Sequence, residues 1–193
     1  VSVTVHDRIP LHAAAVTRGD LALLLHGPSG VGKSSLVLAA ALRGLPPLSE
    51  DVVYAELGHG PRLWGMPGPV HITPHGMRFF PGIEPLRSVV RAGGVSKLAV
   101  LPPGGADARA LVTPRAGVCL LAASRGSPAL ETVPVDEVRA LLAGTQESGF
   151  DAFAKEAGAA ADFVTGAGAW RLHVGGDPDA AVTVLADLLE KLG

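Results

Sequence analysis

Lys33 and Ser34 are the residues from which chemistry can first be read. They close the string Gly27-Pro28-Ser29-Gly30-Val31-Gly32-Lys33-Ser34, which satisfies the pattern G-x-x-x-x-G-K-[ST]. The glycines let the backbone turn tightly enough for successive N–H groups to point inward and form an anion-binding nest. A helix that starts at the same point adds its positive dipole end. Lys33 can then reach the β- and γ-phosphates of a nucleotide as a point charge, and the Ser34 hydroxyl can ligate Mg²⁺. The flanks supply the context the pattern needs. The apolar run LALLLH (21–26) enters as a strand, and an alanine-leucine run leaves as a helix. The expected nucleotide-binding set is Gly27, Ser29, Gly30, Val31, Gly32, Lys33, Ser34 and Ser35, with ATP and Mg²⁺ as the ligands.

Such a loop needs a carboxylate to handle the metal, usually at the end of a neighbouring strand. Glu50-Asp51, between Leu48 and Val52-Val53, is the best pair in the chain. Two jobs need filling. One carboxylate orients Mg²⁺, directly or through water, and the other accepts a proton from an attacking hydroxyl. The histidines say less. His71 and His75 are four apart, but Thr73 and Pro74 between them break the helix that would make a zinc pair. His26 ends the strand before the loop, and His12 opens an earlier one. Cys119, the single cysteine, lies in the apolar run GVCLLAA and reads as a buried strand residue.

The elements that must position these residues follow from pattern and punctuation. LHAAAVT (11–17) and LALLLH (21–26) read as two strands joined by a tight turn at Arg18-Gly19-Asp20. A helix from Gly32 to Arg43 follows, closed by Gly44. A strand is expected over 48–57 with an acidic opening, then Gly- and Pro-rich hairpins and loops from 58 to 94. Strands return at 96–101, 117–123 and 169–174. Helices are expected at 134–143, 148–161 and 178–192, the last opening with Asp177 as N-cap and Pro178 in the first turn. The reading is one α/β domain over residues 1–193 with a helical C-terminal part.

Bulk properties narrow the function classes. Of 193 residues, 48% are hydrophobic and 18% charged, which fits a compact chain and excludes a disordered one. A formal net charge of -2 speaks against an extended nucleic-acid footprint. No apolar run reaches the roughly 18 residues needed to span a bilayer. Residues 1–16 lack the charged start and apolar core of a signal peptide, so a cytoplasmic location is expected.

Taken together, the residues from His12 to Asp51 resemble the C-terminal catalytic domain of HPr kinase/phosphorylase, a bacterial enzyme that phosphorylates a serine of a phosphocarrier protein. The family run V-H-G…G-D-S-G-x-G-K-S…R-G-H-x-L-x-A-D-D meets L-H-A…G-P-S-G-V-G-K-S…R-G-L-P-P-L-S-E-D here, without a gap. The resemblance implies a phosphate loop on a mixed β-sheet, the fold shared with phosphoenolpyruvate carboxykinase, followed by C-terminal helices. It implies a kinase that transfers the γ-phosphoryl group to the serine hydroxyl of a protein or peptide. By this match Lys33 and Ser34 are the phosphate lysine and the metal serine, and His12 is the active-site histidine. Asp51 is the second, metal-organising aspartate. Glu50 stands where the family has its proton-accepting aspartate, with one methylene more. RLWGMPGPV (62–70) sits at the family's E-x-R-G-L-G-I signature: Gly65 aligns, and Arg62 replaces a glutamate used around the metal. That change bears on the phosphorylase half of the activity. The chain also resembles smaller HPr-kinase-like proteins that lack the N-terminal regulatory domain, and a homo-oligomer is compatible with the family. Arg87, Arg91 and Lys97 are candidates for a cation facing the γ-phosphate.

Two other readings use the same loop. GPSGVGKS is also found in guanylate kinase, a small-molecule kinase, but the T-T-R-x-x-R type segment expected after the first helix is missing. A nucleotide-binding sensor or scaffold without catalysis is the reading that Glu50 and Arg62 motivate.

Overall fold

The structure, a computed structural model, describes residues 8–58, 60–90, 94–103, 111–144 and 157–193. Its centre is the strand Leu21–His26 (β3), whose six residues are all buried. The burial is two-sided. Leu21, Leu23 and Leu25 join one hydrophobic core, while Ala22 and Leu24 join another on the opposite face. A strand buried on both faces needs apolar residues throughout, which explains why LALLL shows no polar alternation.

β3 lies inside a six-stranded mixed sheet. The other members, in chain order, are β2 (Ala14–Arg18), β4 (Pro47–Ser49), β11 (Arg115–Ala122), β12 (Ala129–Thr132) and β13 (Ala169–His173). The spatial order is β12-β13-β11-β3-β2-β4. The pairs β3/β11 and β11/β13 are parallel, and β2 and β4 continue antiparallel on the other side of β3. A second, antiparallel sheet runs β1-β5-β6-β10, from Arg8–Leu11 (β1), Val53–Glu56 (β5), Arg62–Gly65 (β6) and Leu111–Thr113 (β10). A third, small sheet is built of β7 (Val70–Ile72), β8 (Arg87–Val90) and β9 (Ser96–Val100), with β9 in the middle.

Helices cover both faces of the main sheet. Lys33–Leu42 (α1) and the C-terminal helix Pro178–Leu192 (α4) pack on one face and against each other, through Leu36, Val37, Ala181 and Leu185 among others. Val135–Gly144 (α2) and Ala157–Val164 (α3) share the other core with β1, β5 and β6. The N-cap of α4 is as expected: the Asp177 carboxylate accepts from the Asp179 N–H at 2.9 Å, and Pro178 occupies the first turn. Among the described residues no helix is long and apolar enough to cross a membrane.

The mixed α/β character, several sheets and C-terminal helices agree with expectation, and three details correct it. The strand expected over 11–17 is two strands, because the chain leaves the four-stranded sheet after Leu11 and enters the six-stranded one at Ala14. The strand expected over 48–57 divides in the same way: β4 belongs to the six-stranded sheet, β5 to the four-stranded one, and Glu50-Asp51-Val52 bridge them. β10 and β12 were not expected; both are short and lie at the edges of their sheets. Residues 148–156 of the helix expected over 148–161 lie outside the described residues, and α3 runs on to Val164.

Candidate functional site

The two crossings between sheets run side by side. Leu11 pairs with Val53 in one sheet and Ala15 with Ser49 in the other, so the residues between them are brought together. His12 comes from one crossing and Asp51 from the other, and His12 Nδ1 lies 3.8 Å from Asp51 Oδ1. The break in strand structure is thus what turns these polar side chains towards a common point.

The glycine-rich loop leaves β3 beside this point. Gly30 has φ 84° and Gly32 φ 112°, left-handed backbone that glycine adopts without strain. Gly32 occupies the N-cap position of α1, where it has no side chain to offer the first-turn N–H groups, and that turn contains no acidic residue. The start of α1 therefore keeps the positive field of its dipole. Lys33 bends back over the loop. Its Nζ donates to the carbonyl of Gly27 at 2.5 Å and of Pro28 at 3.2 Å. Burial holds the Lys33 ammonium below its ordinary pKa; the negative charge of Asp51 opposes that shift, and the positive charge of Lys97 adds to it. Lys33, Asp51 and Lys97 thus share one electrostatic neighbourhood.

Ser34, one residue on, faces the other carboxylate. Its hydroxyl donates to Glu50 Oε1 at 2.8 Å. The second oxygen of Glu50 accepts from His71 Nδ1, also at 2.8 Å. Glu50 and His71 are largely buried, with side chains 13% and 18% exposed, whereas that of Asp51 is 52% exposed. His71 sits on β7 between the buried Val70 and Ile72 and so points to the opposite side of its strand.

The pair Ser34–Glu50 can be tested as a Mg²⁺ site from its own geometry. Oxygens on adjacent corners of an octahedral Mg²⁺ at ~2.0–2.1 Å stand about 2.9 Å apart. Ser34 Oγ and Glu50 Oε1, at 2.8 Å, meet that spacing. Two protein oxygens with the remaining positions left to water and phosphate are the usual protein share for this ion. Among the described residues no group of three or more His, Cys, Asp or Glu side chains forms a metal cluster.

His26 closes the back of the site. It is buried at the end of β3, and its Nδ1 donates to the carbonyl of His12 at 3.2 Å, which ties the strand end to the crossing. Desolvation keeps its pKa below the ordinary histidine value, with the charges of Lys33 and His12 adding and the bond to His12 opposing. Two clefts flank the loop. One, about 310 Å³, is lined by Gly30–Gly32, Ser34–Leu36, residues 72–79 in part, and Val174–Gly176 with Pro178. The other, about 520 Å³, is lined by His12, His26, Gly27–Ser29, Leu120, Leu121, Glu137, Leu141 and Arg171.

No protein-family model matches the chain, and neither does any curated protein. Among solved structures it is similar to the Hpr(Ser) kinase/phosphatase from Coxiella burnetii, with 18% identity and a TM-score of 0.37. The match covers 64% of this chain and 77% of that one. At that level the likeness carries no functional weight.

The structure thus brings together Gly27, Ser29, Gly30, Val31, Gly32, Lys33, Ser34 and Ser35 in one loop and helix start, with Glu50, Asp51 and His12 around it. It separates the others. Arg62 pairs with Glu56 at 3.0 Å and lies near the Trp64 ring, and it lines neither cleft. Arg87 is exposed on β8, and Arg91 lies outside the described residues. Of the two described candidate cations, Lys97 is the one whose charge reaches Lys33. Cys119 is buried, as expected, with its thiol pushed up to about 12 by desolvation. In sequence His71 stands out only through its spacing from His75, as half of a zinc pair. Its lone polar side chain between two buried strand residues was the available signal. His75 faces Arg78 instead, with Nη2 2.9 Å from its Nδ1.

Proposed function

We propose that the protein is an ATP- and Mg²⁺-dependent kinase of the HPr-kinase-like group, which transfers the γ-phosphoryl group to a serine-type hydroxyl of a protein or peptide. The observation that carries this reading is the convergence of Lys33, the Ser34–Glu50 pair and the Asp51–His12 pair at one end of the glycine-rich loop. The loop N–H groups and Lys33 hold the phosphates, releasing Lys33 from its carbonyl contacts as they do so. Ser34 and Glu50 hold Mg²⁺, and His71 fixes the second oxygen of Glu50 so that the first stays turned to Ser34. When bound there, Mg²⁺ neutralises charge that develops on the transferred phosphoryl group.

This arrangement favours exchanging the roles that the family resemblance gives to the two carboxylates. Glu50 is the one in contact with the metal serine. Asp51, half exposed and near Lys33, is the one open to an incoming hydroxyl. The acceptor oxygen bonds to the γ-phosphorus as the bond to the bridging oxygen of ADP breaks. The hydroxyl proton passes to Asp51, which His12 orients, and ADP leaves. Lys97, whose charge reaches Lys33, adds a second cation. Because Arg62 stands where the resembled family has a glutamate used around the metal, the reading includes no phosphorylase activity.

The test is ATP turnover with Mg²⁺ in wild type and Lys33→Ala. Turnover lost in the variant, with an unchanged circular dichroism spectrum, supports the reading. Tight ATP binding by the wild type with no turnover and no transfer to protein replaces it with that of a sensor.

A further inference from the structure

We propose that the 310 Å³ cleft is the nucleoside pocket and that it accepts adenine and guanine nucleotides with little preference. This rests on the reading of the glycine-rich loop as a phosphate site. Lys33, Asp51 and His12 mark one end of that site. Ser35, next to the metal serine in the first turn of α1, lines the smaller cleft, so a chain of phosphates starting at Lys33 runs towards that cleft. The larger cleft lies on the side of His12 and Gly27–Ser29, where the acceptor must approach. At about 310 Å³ the smaller one is at the lower end of the ~300–1,000 Å³ usual for small-molecule sites. That suits a base and sugar whose phosphates lie outside in the loop.

Its walls offer apolar contact and one aromatic face. Phe79 projects from a short 3₁₀ turn, Gly76–Phe79, and is 44% exposed although its neighbour Phe80 is buried. Its ring meets that of His75 edge-on at 6.4 Å. The turn is held by the Gly76 N–H on Thr73 Oγ1 at 3.1 Å and by the Phe80 N–H on the Met77 carbonyl at 3.0 Å. The opposite wall is made by Val174, Gly175, Gly176 and Pro178 and is also fixed, because the Gly175 N–H donates to Ser124 Oγ at 2.9 Å. An exposed ring on a held turn, facing a fixed apolar wall, is suited to stacking a base, and every base has a π-face.

Three of the four polar side chains of the cleft are already engaged, and the fourth, Ser35, sits beside Ser34 at the phosphate end. Ser34 bonds Glu50, Thr73 bonds Gly76, and His75 faces Arg78. Among the described residues, no Asn, Gln, Asp or Glu lines the cleft to read the differing edges of adenine and guanine. A site built to hydrogen-bond its ligand rejects the wrong one by ~10⁴–10⁵, whereas an apolar pocket discriminates by only about 10–200-fold.

Calorimetric titration with ATP, GTP and inorganic tripolyphosphate, each with Mg²⁺, tests this. ATP and GTP are expected to bind wild type within about tenfold of each other. Phe79→Ala weakens both by tenfold or more and leaves tripolyphosphate unchanged, while Phe79→Tyr restores both nucleotides. Lys33→Ala weakens all three. A preference of more than a hundredfold for one purine overturns the proposal, as does a Phe79→Ala variant that binds nucleotides like wild type. If tripolyphosphate binding still depends on Lys33 in that case, the phosphate site stands and only the pocket assignment fails. If none of the three binds wild type, both fall.

Discussion

Replacing the two carboxylates one at a time separates their roles. Asp51 is half exposed and stands 3.8 Å from His12, a pairing of the surface kind worth about 0–1 kcal/mol. In a chain of this length ~1 kcal/mol shifts Tm by about 2–4 °C, so Asp51→Asn lowers Tm by no more than about 4 °C. Glu50 is largely buried and accepts from both Ser34 and His71 at 2.8 Å. Glu50→Gln keeps one accepting oxygen and loses the charge. The loss is about one hydrogen bond to a charged group, ~1.5–3 kcal/mol. That corresponds to a fall in Tm of about 3–12 °C.

The kinetic consequences run the other way. On the proposed roles Asp51→Asn removes the proton acceptor, so turnover falls about 10²–10⁴-fold while the Mg²⁺ requirement for ATP binding stays as in wild type. Glu50→Gln raises the Mg²⁺ concentration needed for ATP binding. His71→Ala, acting through Glu50, raises it by about 10–100-fold. Calorimetric ATP binding at graded Mg²⁺, thermal melts and turnover measure all three quantities. If Asp51→Asn moves the Mg²⁺ dependence and Glu50→Gln leaves it alone, the assignment is refuted and the carboxylates hold the opposite roles.

Three further outcomes follow from the packing. A Cβ added at Gly65 lies 2.2 Å from the carbonyl oxygen of Leu48, so β6 cannot keep its approach to β4, and Gly65→Ala destabilises by about 3 kcal/mol or more, read by denaturant unfolding. Cys119 is buried with its thiol pushed up to about 12, and a thiol-reactive dye labels it only after denaturation. His26 has a folded-state pKa held below its unfolded value, mainly by burial, so the unfolded chain binds the proton first as pH falls. Its contribution to stability is intact above about pH 6.5 and is lost as pH drops below that value. The fall in Tm between about pH 7.5 and pH 5.5 is therefore smaller in His26→Gln, and equal falls would contradict the account.

What the sequence disclosed depended on how local each feature is. The loop, the helix after it and the cap of α4 are written within a few consecutive residues, and each stands where it was expected. The division of 11–17 and of 48–57 was hidden. Ile9, Leu11, Ala13 and Ala15 stay apolar across the first break, because both sheets share one core there. Periodicity does not register a change of sheet when the same core continues. That break is what positions His12 and the acidic pair, so the residues were legible as candidates while their division of labour was not. Whether Glu50 or Asp51 meets Ser34 is decided by a crossing between sheets. His71 arrives from β7, some twenty residues further on, and only the fold brings it to Glu50. Arg62 shows the converse. By resemblance it falls at a family signature position, yet Glu56, opposite it on β5, pairs with it, and it lines neither cleft.

The central claim is tested most directly by incubating the wild type and Lys33→Ala with radiolabelled γ-phosphate ATP, Mg²⁺ and a clarified cell lysate, then identifying the labelled amino acid. The account predicts phosphoserine in wild-type reactions and none in the variant. Label that stays in ATP, or that appears equally with both proteins, would contradict it.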